Sequence, residues 1–286
     1  MIACRKRAEI KKILDDLRVN FKTVGFVPTM GYLHEGHLSL LKQASIQNDV
    51  VVVSIFVNPL QFGQNEDFDK YPRDEKRDLE ILTASNVDIV FLPYIDEMYG
   101  SNFLTKVSVN RLSNLLCGKS RPGHFDGVCT VLAKLFNIIE PNNAYFGLKD
   151  YQQYIVVKKM ATDLNFKTKI IGLPIVRDAD GLAISSRNAY LSLKERESAL
   201  CLNRSFNLVE SLLKNGIRDP YLIKDKVMEY IMNFNKTKID YIEIVDTETL
   251  ESLIELKDTF LLALAIFVGK TRLIDNKIFF LKNYGI

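Results

Sequence analysis

The chain has 286 residues, 47% of them hydrophobic and 26% charged. That length suits two domains, and the apolar fraction supports packed cores and excludes a disordered chain. A formal net charge of +3, with no basic stripe interleaved with aromatics, argues against a nucleic-acid partner.

The N-terminus, Met1-Ile2-Ala3-Cys4-Arg5-Lys6-Arg7, is charged and lacks the apolar centre of a signal peptide. The longest apolar run, 260–268, is too short to span a bilayer. A cytoplasmic protein without a membrane partner is expected. Cys4, Cys117, Cys129 and Cys201 form no CxxC pair and read as free thiols, partly buried.

Ile10, Ile13, Leu14 and Leu17 have helical spacing, which predicts a helix over 9–19. The run 23–27 reads as a strand and 38–44 as a helix. Between them lies Pro28-Thr29-Met30-Gly31-Tyr32-Leu33-His34-Glu35-Gly36-His37. Two histidines and two glycines thus occupy a strand-to-helix turn. Backbone N–H groups and the positive helix end are expected to face a phosphate there. His34 and His37, three apart, fall on one face of the first helical turn. Two plainer readings stand beside this one. The histidines could cap the helix, or pair as metal ligands, although no third ligand is signalled nearby.

The run 50–57 is unbroken and rich in Val and Ile, as in a parallel strand buried on both faces. Asn58 and Gln61 follow it, just past the carboxyl end where doubly wound sheets bind ligands. A charged helix is expected over 73–85, a strand over 87–92 and a helix over 128–139. His124 lies before that helix in a loop, Arg121-Pro122-Gly123-His124-Phe125. A short strand, 144–146, leads through Gly147-Leu148-Lys149-Asp150 into a helix over 151–164, with Gln153 one turn beyond Lys149. A strand over 169–176 closes the alternation, which predicts an α/β fold: a Rossmann-like, doubly wound parallel sheet over 1–176.

The pattern then changes. Asp178-Ala179-Asp180-Gly181 is a turn, and Ile184-Ser185-Ser186-Arg187-Asn188 offers two hydroxyls and a guanidinium suited to phosphate oxygens. Ser192 and Glu195 form a capping box for a helix running to about 215. Helix 220–234 and strands 239–245, 259–267 and 271–274 complete a smaller C-terminal α+β domain, 177–286. No GxGxxG and no GxSxG occurs. Gly269-Lys270-Thr271 resembles a P-loop tail, but Leu264 stands where the first Gly belongs. Gly31-x4-Gly36-His37 has P-loop spacing with His in place of Lys.

Taken together, these segments resemble the pantoate–β-alanine ligase family. The turn His34-Glu35-Gly36-His37 is similar to its HxGH signature, shared with cytidylyltransferases and class I aminoacyl-tRNA synthetases. Phe56-Val57-Asn58-Pro59-x-Gln61-Phe62, Tyr71-Pro72-Arg73, Arg121-Pro122-Gly123-His124-Phe125-Asp126-Gly127, Phe146-Gly147-x-Lys149-Asp150-x-Gln152 and Ser185-Ser186-Arg187-Asn188 are similar to the family's own motifs.

The resemblance implies an ATP-dependent joining of pantoate to β-alanine through pantoyl adenylate. It implies that Met30, Gly31, Tyr32, Leu33, His34, Glu35, Gly36, His37, Gly147, Leu148, Lys149, Asp150, Val176, Ile184, Ser185, Ser186 and Arg187 bind ATP. Gln61 and Gln153 would hold pantoate, with Gln61 also near β-alanine. His37 would donate a proton, supported by His34, Lys149 and Arg187. Asp78 would lie near Mg²⁺, although Lys76 and Arg77 fill positions that are acidic in many members. Ile184 stands where Met is usual. A homodimer and a C-terminal domain acting as a lid are also implied. Two competing readings remain: a nucleotidyl transfer onto a phosphorylated acceptor, and a non-catalytic nucleotide-binding protein.

Overall fold

A computed structural model describes residues 1–20, 22–64 and 66–285. Ten helices are assigned among these residues: α1 (Arg7–Val19), α2 (Glu35–Gln47), α3 (Glu75–Ala84), α4 (Ile95–Met98), α5 (Leu116–Ser120), α6 (His124–Ile139), α7 (Tyr151–Asp163), α8 (Leu193–Ala199), α9 (Cys201–Lys214) and α10 (Pro220–Met232). The chain divides into two units. The first comprises Met1–Ser113, Arg121–Leu148 and Gln153–Pro174; the second comprises Asn114–Ser120, Lys149–Gln152 and Ile175–Ile286. A single break after residue 176 does not capture the two short excursions into the second unit.

The first unit holds a six-stranded sheet of β1 (Ile2–Cys4), β2 (Val24–Thr29), β3 (Val50–Ile55), β4 (Ile89–Phe91), β5 (Asn143–Gly147) and β6 (Lys169–Leu173). The order is β1-β4-β3-β2-β5-β6, and every neighbouring pair is parallel. The expected doubly wound sheet is present. Val50 to Ser54 are all buried, which is why β3 has no polar alternation. Strand order reverses between β2 and β5, so the ends of those two strands flank the position where such sheets take ligands. The HxGH turn leaves β2, and Gly147 ends β5.

Strand β1 has no counterpart in the sequence pattern. It is only three residues long and gains its stability by pairing with β4 at the sheet edge. Helix α6 begins at His124, four residues before the expected start at 128, because Gly123 at φ +81° turns the chain into it.

The second unit holds an antiparallel sheet of β7 (Thr237–Val245), β8 (Thr259–Val268) and β9 (Thr271–Phe280), in the order β7-β8-β9. Residues Phe260 to Ile266 of β8 are buried, and Leu262, Leu264 and Ile266 pack with Phe206 and Val209 of α9 and with Ile223 and Val227 of α10. The helix expected over 192–215 is broken at Leu200 into α8 and α9. Strand β9 continues six residues past 274. Buried polar residues Asp275 and Asn276 interrupt its apolar pattern and hide it from a periodicity reading. Among the described residues no helix is long and apolar enough to cross a membrane.

Candidate active site

In the first unit the site begins where β2 ends. Gly31 at φ +80° and Tyr32 at φ +51° turn the chain left-handed. Only Gly takes that conformation freely, and at Gly31 a Cβ would also come within 2.9 Å of Asp78 Oδ2. The turn's N–H groups were expected to face a ligand. Most are bonded within the chain instead. Gly31 N–H donates to Thr29 Oγ1 at 3.2 Å, Tyr32 N–H to Asp78 Oδ2 at 2.7 Å, and Leu33 N–H to Asp78 Oδ1 at 2.8 Å. Such a turn aims successive N–H groups the same way, making a concavity for an anion. Here a buried carboxylate fills it.

His34 is the N-cap of α2 and His37 lies at its third position. Their ring centroids are 4.0 Å apart. Gly36 makes room for this, since a Cβ there would meet the His34 ring at 3.0 Å. The backbone N–H of His34 donates to His37 Nδ1 at 3.3 Å. Nδ1 is therefore the acceptor, so a neutral His37 carries its proton on Nε2. The fold thus sets His37 as a donor at Nε2.

Gln61 ends a 3₁₀ turn, Pro59–Gln61, beyond β3. It is held from several sides. Asn58, 1% exposed, donates through Nδ2 to Gln61 Oε1 at 3.1 Å, and Tyr99 donates to Asn58 Oδ1 at 2.8 Å. Gln61 Nε2 lies 3.3 Å from Met30 Sδ, which joins two of the expected site residues. Helix α6 meets the same turn at Gly127, where a Cβ would stand 2.3 Å from the Leu60 carbonyl oxygen. His124 Nδ1 lies 2.8 Å from the Gln61 carbonyl oxygen, and Arg121 bonds Glu66 through two nitrogens, at 2.6 and 2.5 Å. Burial pushes the Glu66 carboxyl up, but the Arg121 pair outweighs it and leaves the group below its ordinary value. Gly147 ends β5 and Leu148 opens the 3₁₀ turn that follows it, and Gln153 sits on α7 in the same unit.

The remaining expected residues belong to the second unit. Lys149 Nζ lies 3.7 Å from Asp150 Oδ1, and the Lys149 carbonyl accepts from Asn276 Nδ2 at 2.8 Å. Ile184 N–H donates to the Val176 carbonyl at 3.0 Å, so these two expected nucleotide contacts are adjacent. Ser185 caps a 3₁₀ helix, Ser186–Tyr190, and accepts from Arg187 N–H at 3.3 Å. The loop leading there is anchored by Arg177, whose guanidinium grips Asp275 at 2.7 and 2.9 Å. Burial pushes the Asp275 carboxyl up, against the opposing pull of Arg177. Tyr99, Glu66 and Asp275 had no sequence signal. Thr29 and Arg121 stood inside quoted motifs without a role of their own, and Arg77 was marked only as a basic residue at a position acidic in many members.

A parallel α/β sheet with an HxGH turn at its switch point defines a nucleotide-using enzyme of the Rossmann-like class. The comparisons narrow it. The profile of the pantoate-beta-alanine ligase family matches residues 2–278. The chain is 52% identical to pantothenate synthetase of Pseudothermotoga lettingae, over 97% of this chain and 99% of that one. It is 55% identical to pantothenate synthetase of Thermotoga petrophila, over 94% and 96%. The crystal structure of pantothenate synthetase from Thermus thermophilus superposes with a TM-score of 0.92 at 42% identity, covering 97% of this chain and 99% of that one. Pantoate-beta-alanine ligase from Francisella tularensis, solved with β,γ-ATP and β-alanine, gives 0.79 at 36% identity, covering 99% and 98%. The chain belongs to the pantoate–β-alanine ligase family.

Proposed function

We propose that this protein condenses pantoate with β-alanine at the expense of ATP, making pantothenate, AMP and pyrophosphate. A pantoate carboxylate oxygen attacks the α-phosphorus, and the bond to the bridging oxygen of the β-phosphate breaks as pyrophosphate leaves. The amine of β-alanine then attacks the acyl carbon of pantoyl adenylate. The acyl C–O bond breaks, AMP leaves, and the amine loses a proton as the amide forms.

The observation that carries this reading is the His34–His37 arrangement at the end of β2, in a chain matched to the family over nearly its full length. Attack of an anion on a phosphate is opposed by charge repulsion. A preorganised N–H at His37 Nε2 offsets the charge that develops, and it costs little reorganisation at the moment of reaction. Met30–His37, Gly147–Asp150, Val176 and Ile184–Arg187 are assigned to ATP, with His34, Lys149 and Arg187 sharing the phosphate charge. Gln61 is assigned to pantoate and β-alanine, and Gln153 to pantoate. Mg²⁺ enters with ATP as part of the substrate. Asp78 does not suit a protein ligand for it, because both carboxylate oxygens accept backbone N–H groups and the residue is 1% exposed. Among the described residues no group of three or more His, Cys, Asp or Glu could hold a metal ion. A cytoplasmic homodimer completes the proposal, and sedimentation distinguishes it from a 32.7 kDa monomer.

ATP–pyrophosphate exchange tests the scheme. Exchange should require pantoate and proceed without β-alanine. Exchange that needs β-alanine, or runs without pantoate, would exclude a pantoyl adenylate intermediate.

A further inference from the structure

We propose that Arg77 and Asp78, adjacent on α3, are positioning residues for adenylation, gripping the Tyr32–Leu33 turn so that His34 and His37 are held in their working geometry. The proposal rests on the assignment of His37 to the chemical step.

The grip acts on both sides of one peptide segment. Asp78 accepts from the N–H groups of Tyr32 and Leu33, while Arg77 Nη2 donates to the Leu33 carbonyl at 3.1 Å. The Arg77 guanidinium also lies over the Tyr32 ring, 5.3 Å from its centroid. Leu33 therefore has both its backbone groups tied to α3, and its side chain, 1% exposed, is fixed in the core. The next residue is His34, whose N–H sets the His37 tautomer. The Leu33 carbonyl held by Arg77 and the His34 N–H that orients the donor belong to one peptide group.

The local conformation needs such a hold. Tyr32 sits at φ +51°, a region where a side chain costs energy and which persists only when its surroundings impose it. A carboxylate suits the role because both its oxygens only accept. Asparagine could accept one N–H but would turn its own N–H₂ toward the other. Burial pushes the Asp78 carboxyl up, and its two backbone bonds and Arg77 oppose that rise. Helix α3 brings its own support: Asp74 caps it by accepting from Arg77 N–H at 3.1 Å, which fixes the start of the segment that carries both residues.

A double-mutant cycle tests the proposal in the full chain. Asp78→Asn, Arg77→Ala, His37→Ala and the two pairs with His37→Ala are compared by pantoate-dependent ATP–pyrophosphate exchange. Thermal melts are run alongside, and Mg²⁺ is titrated. Displacing a reacting group by about 1 Å can cost on the order of 10²-fold. Asp78→Asn should lower exchange kcat by roughly that factor and Arg77→Ala by a smaller one, with the Mg²⁺ half-saturation unchanged. Each pair should be little slower than His37→Ala alone, since the grip acts through His37. Arg77 is half-exposed, so its variant reports on the grip even if Asp78→Asn unfolds. Normal exchange in either variant, losses that multiply with His37→Ala, or a shifted Mg²⁺ dependence would overturn the grip. A His37→Ala protein with near-normal exchange would instead sink the assignment of His37, and the grip with it.

Discussion

His124 holds Gln61 by its main chain: Nδ1 of the ring lies 2.8 Å from the Gln61 carbonyl oxygen, across 63 residues of sequence. That oxygen can only accept, so His124 donates from Nδ1. Arg121 Nη1, 3.1 Å from the other ring nitrogen, can only donate, so Nε2 accepts. The two partners thus specify the neutral ring with its proton on Nδ1.

A consequence for substrate binding follows from that tautomer. A hydrogen bond of this kind contributes about 0.5–1.5 kcal/mol net, roughly a 2- to 12-fold change in an equilibrium constant. His124→Ala should raise the pantoate KM by that factor and leave the ATP KM nearly unchanged. His124→Asn, which can present an N–H near the same place, should recover part of the loss. Steady-state kinetics with each substrate varied in turn would decide it, and an ATP KM that rises as much as that of pantoate would reject the link to Gln61.

At His37 the expected loss is in rate. The Nε2–H donor set by the His34 N–H is worth more as charge grows on the transferring phosphate than in the bound ground state. Removing one preorganised donor typically costs on the order of 10²–10³ in kcat. His37→Ala should depress pyrophosphate exchange by that amount with little change in ATP affinity. His37→Gln should restore part of it if hydrogen-bond donation suffices, and almost none if a proton must move. The reaction of supplied pantoyl adenylate with β-alanine should be less affected.

The sequence carried those parts of the molecule whose causes are local. Val50 to Ile55 announces a buried parallel strand because burial on both faces removes polar alternation. The Gly31 to His37 turn was legible because glycine and histidine mark backbone approach and proton chemistry by residue type alone. What was hidden depends on distant pairing. Asp78 meets Tyr32 across 46 residues, and Arg177 meets Asp275 across 98. A carboxylate in a charged helix reads as solvated, and nothing near it in sequence says that a turn will descend onto it. The amides of Gly31, Tyr32 and Leu33 bond Thr29 and Asp78 instead of facing outward for the same reason: the anion that meets Tyr32 and Leu33 is supplied by another helix.

The cysteines offer a test of the packing. Cys129 and Cys201 are 0% exposed, and burial pushes both thiols up to about 12 from an ordinary value of 9.0. Both should resist a thiol reagent at pH 8 in the native protein, and all four thiols should react after denaturation. Above about pH 9 the unfolded thiols ionise while the folded ones stay protonated. The unfolded state then binds fewer protons, so stability falls as pH rises toward 12. Cys201→Ala should make that alkaline decline shallower. Urea melts at pH 8 and 10 on both proteins measure it, and identical slopes would remove Cys201 from the account.

Arg177 and Asp275 couple stability to the loop that carries Ser185, Ser186 and Arg187. Asp275 is 2% exposed, and its charge is met by a two-pronged guanidinium. Removing one partner of a buried pair typically costs about 3–5 kcal/mol, because the other is left unpaired. Arg177→Ala should therefore lower the melting temperature strongly and raise the ATP KM. Arg177→Lys should rescue little, since an ammonium cannot hold both carboxylate oxygens in the same plane. The pH dependence has a definite sign. Burial already holds the folded Asp275 carboxyl above its ordinary value, and losing Arg177 raises it further. The folded variant then binds a proton that the unfolded chain releases, so it is relatively more stable in acid and loses ground as pH rises through the folded value. The melting deficit against wild type should be smaller at pH 5 than at pH 8. A deficit that is constant, or larger in acid, would show that the Asp275 charge is not what Arg177 holds.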